Sequence, residues 1–165
     1  MIREARSDDA AAIAAIDVAG SRYAYKGILS DEYLYNELTV EARIPVYQRW
    51  MTEKRFELYV YEDPDTKAVE GMMGIGRCED EDKDGAFELH FLYVDPDHVR
   101  KGIGTGMLSF FEQKGRDNGY TEYVIWVLEE NDMGRKFYEK NGYRLDGKDK
   151  IFKRWNKREI RYVKN

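Results

Sequence analysis

Arg100 and Lys101 stand directly before glycines at 102, 104 and 106, in the stretch Tyr93-Val-Asp-Pro-Asp-His-Val-Arg-Lys-Gly-Ile-Gly-Thr-Gly-Met-Leu108. An apolar strand enters this stretch, a proline turn follows, and a helical pattern leaves it. The chemistry it suits is anion binding. Glycines let a ligand approach the backbone, a helix start leaves N–H groups unpaired beside a partial positive charge, and the two cations add formal charge. The alternative is a glycine-rich connection with two solvated basic residues. A second candidate lies just upstream, where Glu88 and His90 interrupt the apolar run Ala86-Phe-Glu-Leu-His-Phe-Leu-Tyr-Val94. Strict alternation puts Glu88, His90, Leu92 and Val94 on one face, and Phe87, Leu89, Phe91 and Tyr93 on the other. The two ionisable groups either sit at the exposed end of a half-covered sheet or face a wet cleft and handle protons.

Both places need a frame, and the hydrophobic pattern supplies it. Residues 2–5 read as a short strand. Ser7 as N-cap, with Asp8 and Asp9 in the first turn, opens a helix whose buried stripe is Ile13 and Ile16. An aromatic segment over residues 21–29 leads to a second helical region, residues 30–51, which Pro45 is expected to break near Ile44. Tyr23, Tyr25, Tyr33, Tyr35 and Trp50 either line a substrate pocket or belong to the core. From residue 56 the period is that of strands: 56–61, a turn at Asp63-Pro-Asp-Thr66, then 69–77, together a hairpin. The acidic loop 79–84 reads as solvated and leads into the central strand, residues 86–94. After the glycines, Met107, Leu108, Phe110 and Phe111 mark a helix closed by Asn118-Gly119. A strand at 122–128, a short helix ended by Asn141-Gly142, and closing strands near 142–146 and 159–163 complete the chain. Strand, glycine loop, helix and parallel strand form a crossover unit, and ligands bind at the C-terminal ends of such strands.

Several function classes drop out. A length of 165 residues with no linker and no internal repeat suits a single domain over residues 1–165. No apolar run approaches the ~18 residues that cross a bilayer, and the N-terminus has no signal-peptide region, so no membrane partner and a cytoplasmic location are expected. One cysteine, Cys78, excludes an internal disulfide, and two histidines leave no cluster with metal-ligand spacing, so no metal is expected. A formal net charge of -5 with dispersed basic residues argues against nucleic acid. The anion is therefore part of a small molecule. The glycine stretch lacks the Lys-Ser or Lys-Thr pair of a P-loop, and Gly106 is misplaced for G-x-G-x-x-G.

These residues resemble the GCN5-related N-acetyltransferase (GNAT) family. Its pyrophosphate signature, [Q/R]-x-x-G-x-[G/A] opening a helix after a strand, is similar to Val99-Arg-Lys-Gly102-Ile-Gly104, with Val99 in place of Gln or Arg. A second signature, N-x-x-A-x-x-F-Y-E-K-x-G-[F/Y], resembles Asn131 to Tyr143, with Gly134 in place of Ala. Upstream, Ile2-Arg-Glu-Ala and Tyr25-Lys-Gly-Ile-Leu-Ser-Asp-Glu-Tyr-Leu34 resemble bacterial members, so nearly the whole chain is covered.

The resemblance implies an α+β fold: a mixed, mostly antiparallel sheet with one splayed parallel pair and helices on both faces. It implies an acetyl-CoA-dependent N-acetyltransferase. The main chain of Leu92, Tyr93 and Val94 would pair with the pantetheine arm, and Arg100, Lys101, Gly102, Ile103, Gly104 and Thr105 would hold the pyrophosphate. Asn131 would bind the pantetheine region, and Tyr138 would protonate the leaving thiolate. Direct attack needs a neutral amine, and an alkylammonium has a pKa of about 10.4, so a base is required. Glu88 is the first candidate and His90 the reserve, with a backbone N–H near residues 92–94 for the developing oxyanion. The expected acceptor is a small-molecule primary amine, towards which the acidic loop tilts a cationic choice. The alternatives are a peptide or protein N-terminal acetyltransferase, or a non-catalytic acyl-CoA sensor. Dimers are common in the family, so a homodimer is an admissible assembly.

Overall fold

One seven-stranded sheet is formed by β1 (Ile2–Glu4), β2 (Glu57–Glu62), β3 (Val69–Arg77), β4 (Phe87–Val94), β5 (Tyr123–Leu128), β6 (Arg144–Phe152) and β7 (Lys157–Lys164). The computed structural model describes residues 1–165. The strand order is β1-β2-β3-β4-β5-β7-β6, so β4 is central, as its apolar run predicts. All neighbours are antiparallel except β4 and β5, which pair in parallel only over residues 87–89 and 123–125. Beyond Leu89 and Ile125 the two strands separate, and one edge of β4 keeps backbone groups with no strand partner.

Four helices cover the sheet: α1 (Ala10–Tyr25), α2 (Val40–Glu53), α3 (Ile103–Asp117) and α4 (Asp132–Lys140). On one face Ile13 and Ile16 of α1 and Tyr47 of α2 pack on Leu58, Val60 and Met72. On the other, Met107, Leu108 and Phe111 of α3 and Tyr138 of α4 pack on Met73, Ile75, Phe87 and Leu89. Phe111 is fully buried and stacks on Phe87 at 5.1 Å; burial of one such side chain contributes about 1.5–3 kcal/mol.

The faces of β4 differ from strict alternation. Gly74 pairs with Phe91 and Ile75 with Leu89, so His90 is an extra residue with no partner on β3. This bulge inverts the order downstream. Leu92 and Val94 join Phe87 and Leu89 on the α3 side, while Phe91 and Tyr93 turn to the α1 side. Glu88 and His90 therefore do not share a face with Leu92 and Val94.

Other expectations are also corrected. Pro45 does not break α2, which runs unbroken through it. The break falls earlier, at Leu38, after a short π-helical turn over Tyr33–Glu37. Thr39 caps the new helix by accepting from the Ala42 N–H at 3.2 Å. Pro45 lies only the sixth residue into the helix, so it forfeits one early hydrogen bond. Ser7 is not the N-cap of the first helix: a 3₁₀ turn over Ser7–Asp9 with Arg6 as its N-cap precedes α1, and Asp9 bonds back to that cap. Its carboxylate accepts from the Arg6 N–H at 2.7 Å and holds Arg3 in two contacts of 2.7 and 2.9 Å. The acidic loop is not merely solvated. Asp80 and Asp82, together with Asp146, close around Arg161, whose side chain is 2% exposed.

Candidate active site

The separation of β4 from β5 opens a cavity of about 700 Å³, lined by residues of both strands, the start of α3 and the inner face of α4. Its floor at the glycine stretch is built by backbone. Arg100 (φ 64°) and Gly102 (φ 85°) both take left-handed conformations that turn the chain into α3. Gly102 needs its missing Cβ for that turn. The first intrahelical bond ending here runs from the Gly106 N–H to the Gly102 carbonyl at 2.9 Å, and no side chain caps the helix. The N–H groups of Ile103, Gly104 and Thr105 therefore point out of the helix start unpaired. Together with the helix dipole, such amides can hold a phosphate-sized anion.

The expected anion-binding residues divide. Arg100, Gly102, Gly104 and Thr105 line the cavity. Lys101 is exposed outside it, and the Ile103 side chain is buried in the core, leaving its main chain for the site. Leu92, Tyr93 and Val94 line the cavity along the unpaired edge of β4.

Asn131 and Tyr138 reach the same space from α4. Asn131 caps that helix, its Oδ1 accepting from the Gly134 N–H at 3.0 Å. A Cβ at position 134 would lie 2.7 Å from Asn131 Nδ2, so an alanine there would require the Asn131 amide to shift. Tyr138 is 9% exposed and its hydroxyl makes no hydrogen bond within the protein. Burial, then the neighbouring Tyr25, raises this phenol above its ordinary value, so it stays protonated at neutral pH and can donate.

The α1 side of the cavity is built from scattered side chains. His90 lines it, with Nδ1 3.2 Å from Glu88 Oε1 and its ring 4.6 Å from Phe56. Glu88 is 9% exposed and lies behind His90, outside the cavity wall. The carboxylate orients the imidazole. Asp17 of α1 is bound to Arg43 of α2 at 2.5 Å, and the Tyr25 and Tyr93 hydroxyls meet at 3.2 Å. Of the aromatic residues expected to line a pocket, Tyr23, Tyr25, Tyr33 and Trp50 do, whereas Tyr35 is exposed elsewhere.

Among the lining residues that escape a reading of the sequence are Asp17, Arg43, Trp126, Arg154, Trp155 and Glu159. Trp155 packs 5.2 Å from Tyr25 and 6.0 Å from Tyr33. Glu159 alternates with Arg161 between the apolar Ile160 and Tyr162, a pattern that a solvated strand face would also show.

A model of the Acetyltransferase (GNAT) family matches residues 23–143. The chain is similar to the uncharacterized N-acetyltransferase YuaI of Bacillus subtilis, 28% identical over 132 residues, which span 79% of this chain and 72% of that one. It is 25% identical over 138 residues to the spermidine N(1)-acetyltransferase of Thermoplasma acidophilum, covering 78% of each. In fold it resembles the PaiA N-acetyltransferase of the same organism, solved with coenzyme A, at a TM-score of 0.79 and 19% identity, covering 98% of this chain and 96% of that one. With both signatures in place on either side of the separated strands, the chain belongs to the GNAT acetyltransferase family.

Proposed function

We propose that the protein moves an acetyl group from acetyl-CoA to a primary amine of a small molecule by direct attack. The observation that carries this reading is one cavity that joins three unpaired helix amides, an unpaired edge of β4 and the buried phenol of Tyr138. These parts fit the donor: the amides of residues 103–105 with Arg100 suit a pyrophosphate, and the β4 edge suits the amides of a pantetheine arm. Acetyl-CoA supplies an activated acetyl thioester.

The remaining work falls to the chain's own residues. His90, oriented by Glu88, takes the ammonium proton, because it reaches the cavity and Glu88 does not. A backbone N–H of the β4 edge meets the developing negative charge on the acetyl oxygen. Tyr138 gives its proton to the departing sulfur, and its raised pKa keeps that proton available; the proton that the nitrogen sheds on becoming an amide restores the phenol. The aromatic cover of Trp155 and Tyr33 suits a small acceptor, as does the acceptor in the name of the spermidine N(1)-acetyltransferase relative.

The test is release of free CoA from acetyl-CoA, with small amines and with peptides bearing free N-termini. Turnover of small amines above peptides, lost in Tyr138→Phe, is the expected result. Turnover of peptides alone overturns the acceptor; acetyl-CoA binding without turnover of any amine makes the protein a sensor.

A further inference from the structure

The aromatic end of the cavity holds one carboxylate with nothing to neutralise it. Glu159 on β7 stands opposite Leu128 of β5 and Lys150 of β6. Its neighbours Ile160 and Tyr162 belong to the core on the α3 side. Alternation therefore turns Glu159 to the α1 side, where it lines the cavity with Trp126 and Trp155.

The other charged groups at this end are engaged elsewhere, Arg154 over the Tyr33 and Trp155 rings at 5.7 and 6.0 Å without an ion pair to Glu159. Asp17 holds Arg43, and Glu88 holds His90. Lys150 reaches Asp80 at 3.8 Å and lies 3.9 Å over the Trp126 ring. Glu159 makes no hydrogen bond or ion pair. Burial pushes its carboxyl up, against the pull of Lys150 and with the push of Glu88 and Asp80. A carboxylate half-buried among rings is unfavourable alone and is relieved by a cation from outside.

The attacking nitrogen cannot be that cation, since it must be neutral to react. We infer that Glu159 anchors a second ammonium group of the acceptor, which makes the substrate an alkyl diamine or polyamine rather than a monoamine. This inference rests on the acetyl-transfer reading above. β4 and β7 flank β5, so they stand roughly 10 Å apart at ordinary strand spacing, more where β4 splays away. His90 and Glu159 reach inward from those two strands, which leaves a gap suited to a chain of a few methylenes. The Trp126 and Trp155 rings border that gap, and aromatic faces favour both methylenes and cations.

The experiment compares 1,4-diaminobutane with n-butylamine in wild type, Glu159→Gln and Glu159→Asp, by CoA release. Wild type should show a KM for the diamine lower by about tenfold or more. Glu159→Gln should abolish that difference by raising the diamine KM, leaving kcat, the acetyl-CoA KM and the butylamine KM unchanged; Glu159→Asp should restore part of it. An equal preference in wild type, or a preference untouched by Glu159→Gln, overturns the inference, while turnover of either amine preserves the acetyl-transfer reading. If neither amine turns over, calorimetric titration of 1,4-diaminobutane into CoA-loaded protein decides. Binding lost in Glu159→Gln supports the anchor, and no binding to wild type removes it.

Discussion

The two halves of the cavity are built in opposite ways. On the side of the glycine turn, the groups that face the cavity are largely backbone, helix amides and an unpaired strand edge, joined by the side chains of Arg100, Asn131 and Tyr138, all drawn from residues 92–105 and 131–138. On the aromatic side they are side chains of α1, α2, β4, β5 and β7 and the hairpin after β6, drawn from the length of the chain. A backbone site recognises a shape common to every ligand that presents a phosphate there, and its residue types follow from local geometry. A side-chain site recognises charge and contour, and almost any residue type can be tried in it without altering the sheet. The proposed donor half is thus the constant part and the proposed acceptor half the adjustable one.

The largest expected effect breaks the first half. Tyr138→Phe should lower kcat by roughly 10²-fold with acetyl-CoA binding intact, since a single general acid contributes 10²–10⁴. Wild-type kcat in that variant removes Tyr138 from the acid role. The raised phenol adds a pH signature: no loss of rate near pH 10 should trace to Tyr138, because its proton stays on beyond that range. Next in size, His90→Gln should cut kcat/KM, and Glu88→Gln should do so more weakly, because it acts through His90. An equal or larger loss in Glu88→Gln returns the base role to the carboxylate.

Gly104→Val is smaller and isolates donor binding. A Cβ at position 104 meets Phe137 at 3.6 Å and Val94 at 3.7 Å, ordinary contacts that the fold accommodates. Valine adds two methyls at a residue that lines the cavity, so acetyl-CoA affinity should weaken by about tenfold in calorimetry with little change in melting temperature. Unchanged affinity in the folded variant places the pyrophosphate elsewhere.

The smallest expected effect falls on the support of the aromatic half. Asp80 accepts from Trp126 Nε1 at 3.0 Å and from Arg161 at 2.9 Å, so the ion cluster holds that wall. Arg161→Met should lower the melting temperature at neutral pH by roughly 5 °C and raise the diamine KM while sparing acetyl-CoA. The Arg161 guanidinium holds Asp82 below its ordinary value of 3.8. At Asp146 burial pushes up and the same guanidinium outweighs it. Carboxyls lowered on folding add stability above pH 3.8 and lose it as pH falls below. The wild-type melting temperature should therefore drop more steeply below pH 3.8 than that of Arg161→Met.

Much of the fold was legible because its signals are local. The β2–β3 hairpin, the central β4, the helix from the glycines to Asn118-Gly119 and the crossover into β5 follow from periodicity and from residues that demand particular φ angles. Where reading failed, a distant partner decided. One unpaired residue at His90 reversed the faces of β4. Arg161 turned a loop 79 and 81 residues away from solvated to clamped, and with Asp80 and Asp82 so engaged, the tilt towards a cationic acceptor passes from that loop to Glu159.

The sequence by itself determined the strand, turn and helix that present free amides, and the α4 segment that carries Asn131 and Tyr138, because those depend on backbone conformations that neighbouring residues dictate. Only the tertiary structure decided what faces the other half of the cavity. Glu159 reaches it because β7 inserts between β5 and β6, and His90 because β4 bulges. Both are outcomes of long-range strand pairing, and a shift of one residue in such pairing exchanges a core face for a cavity wall.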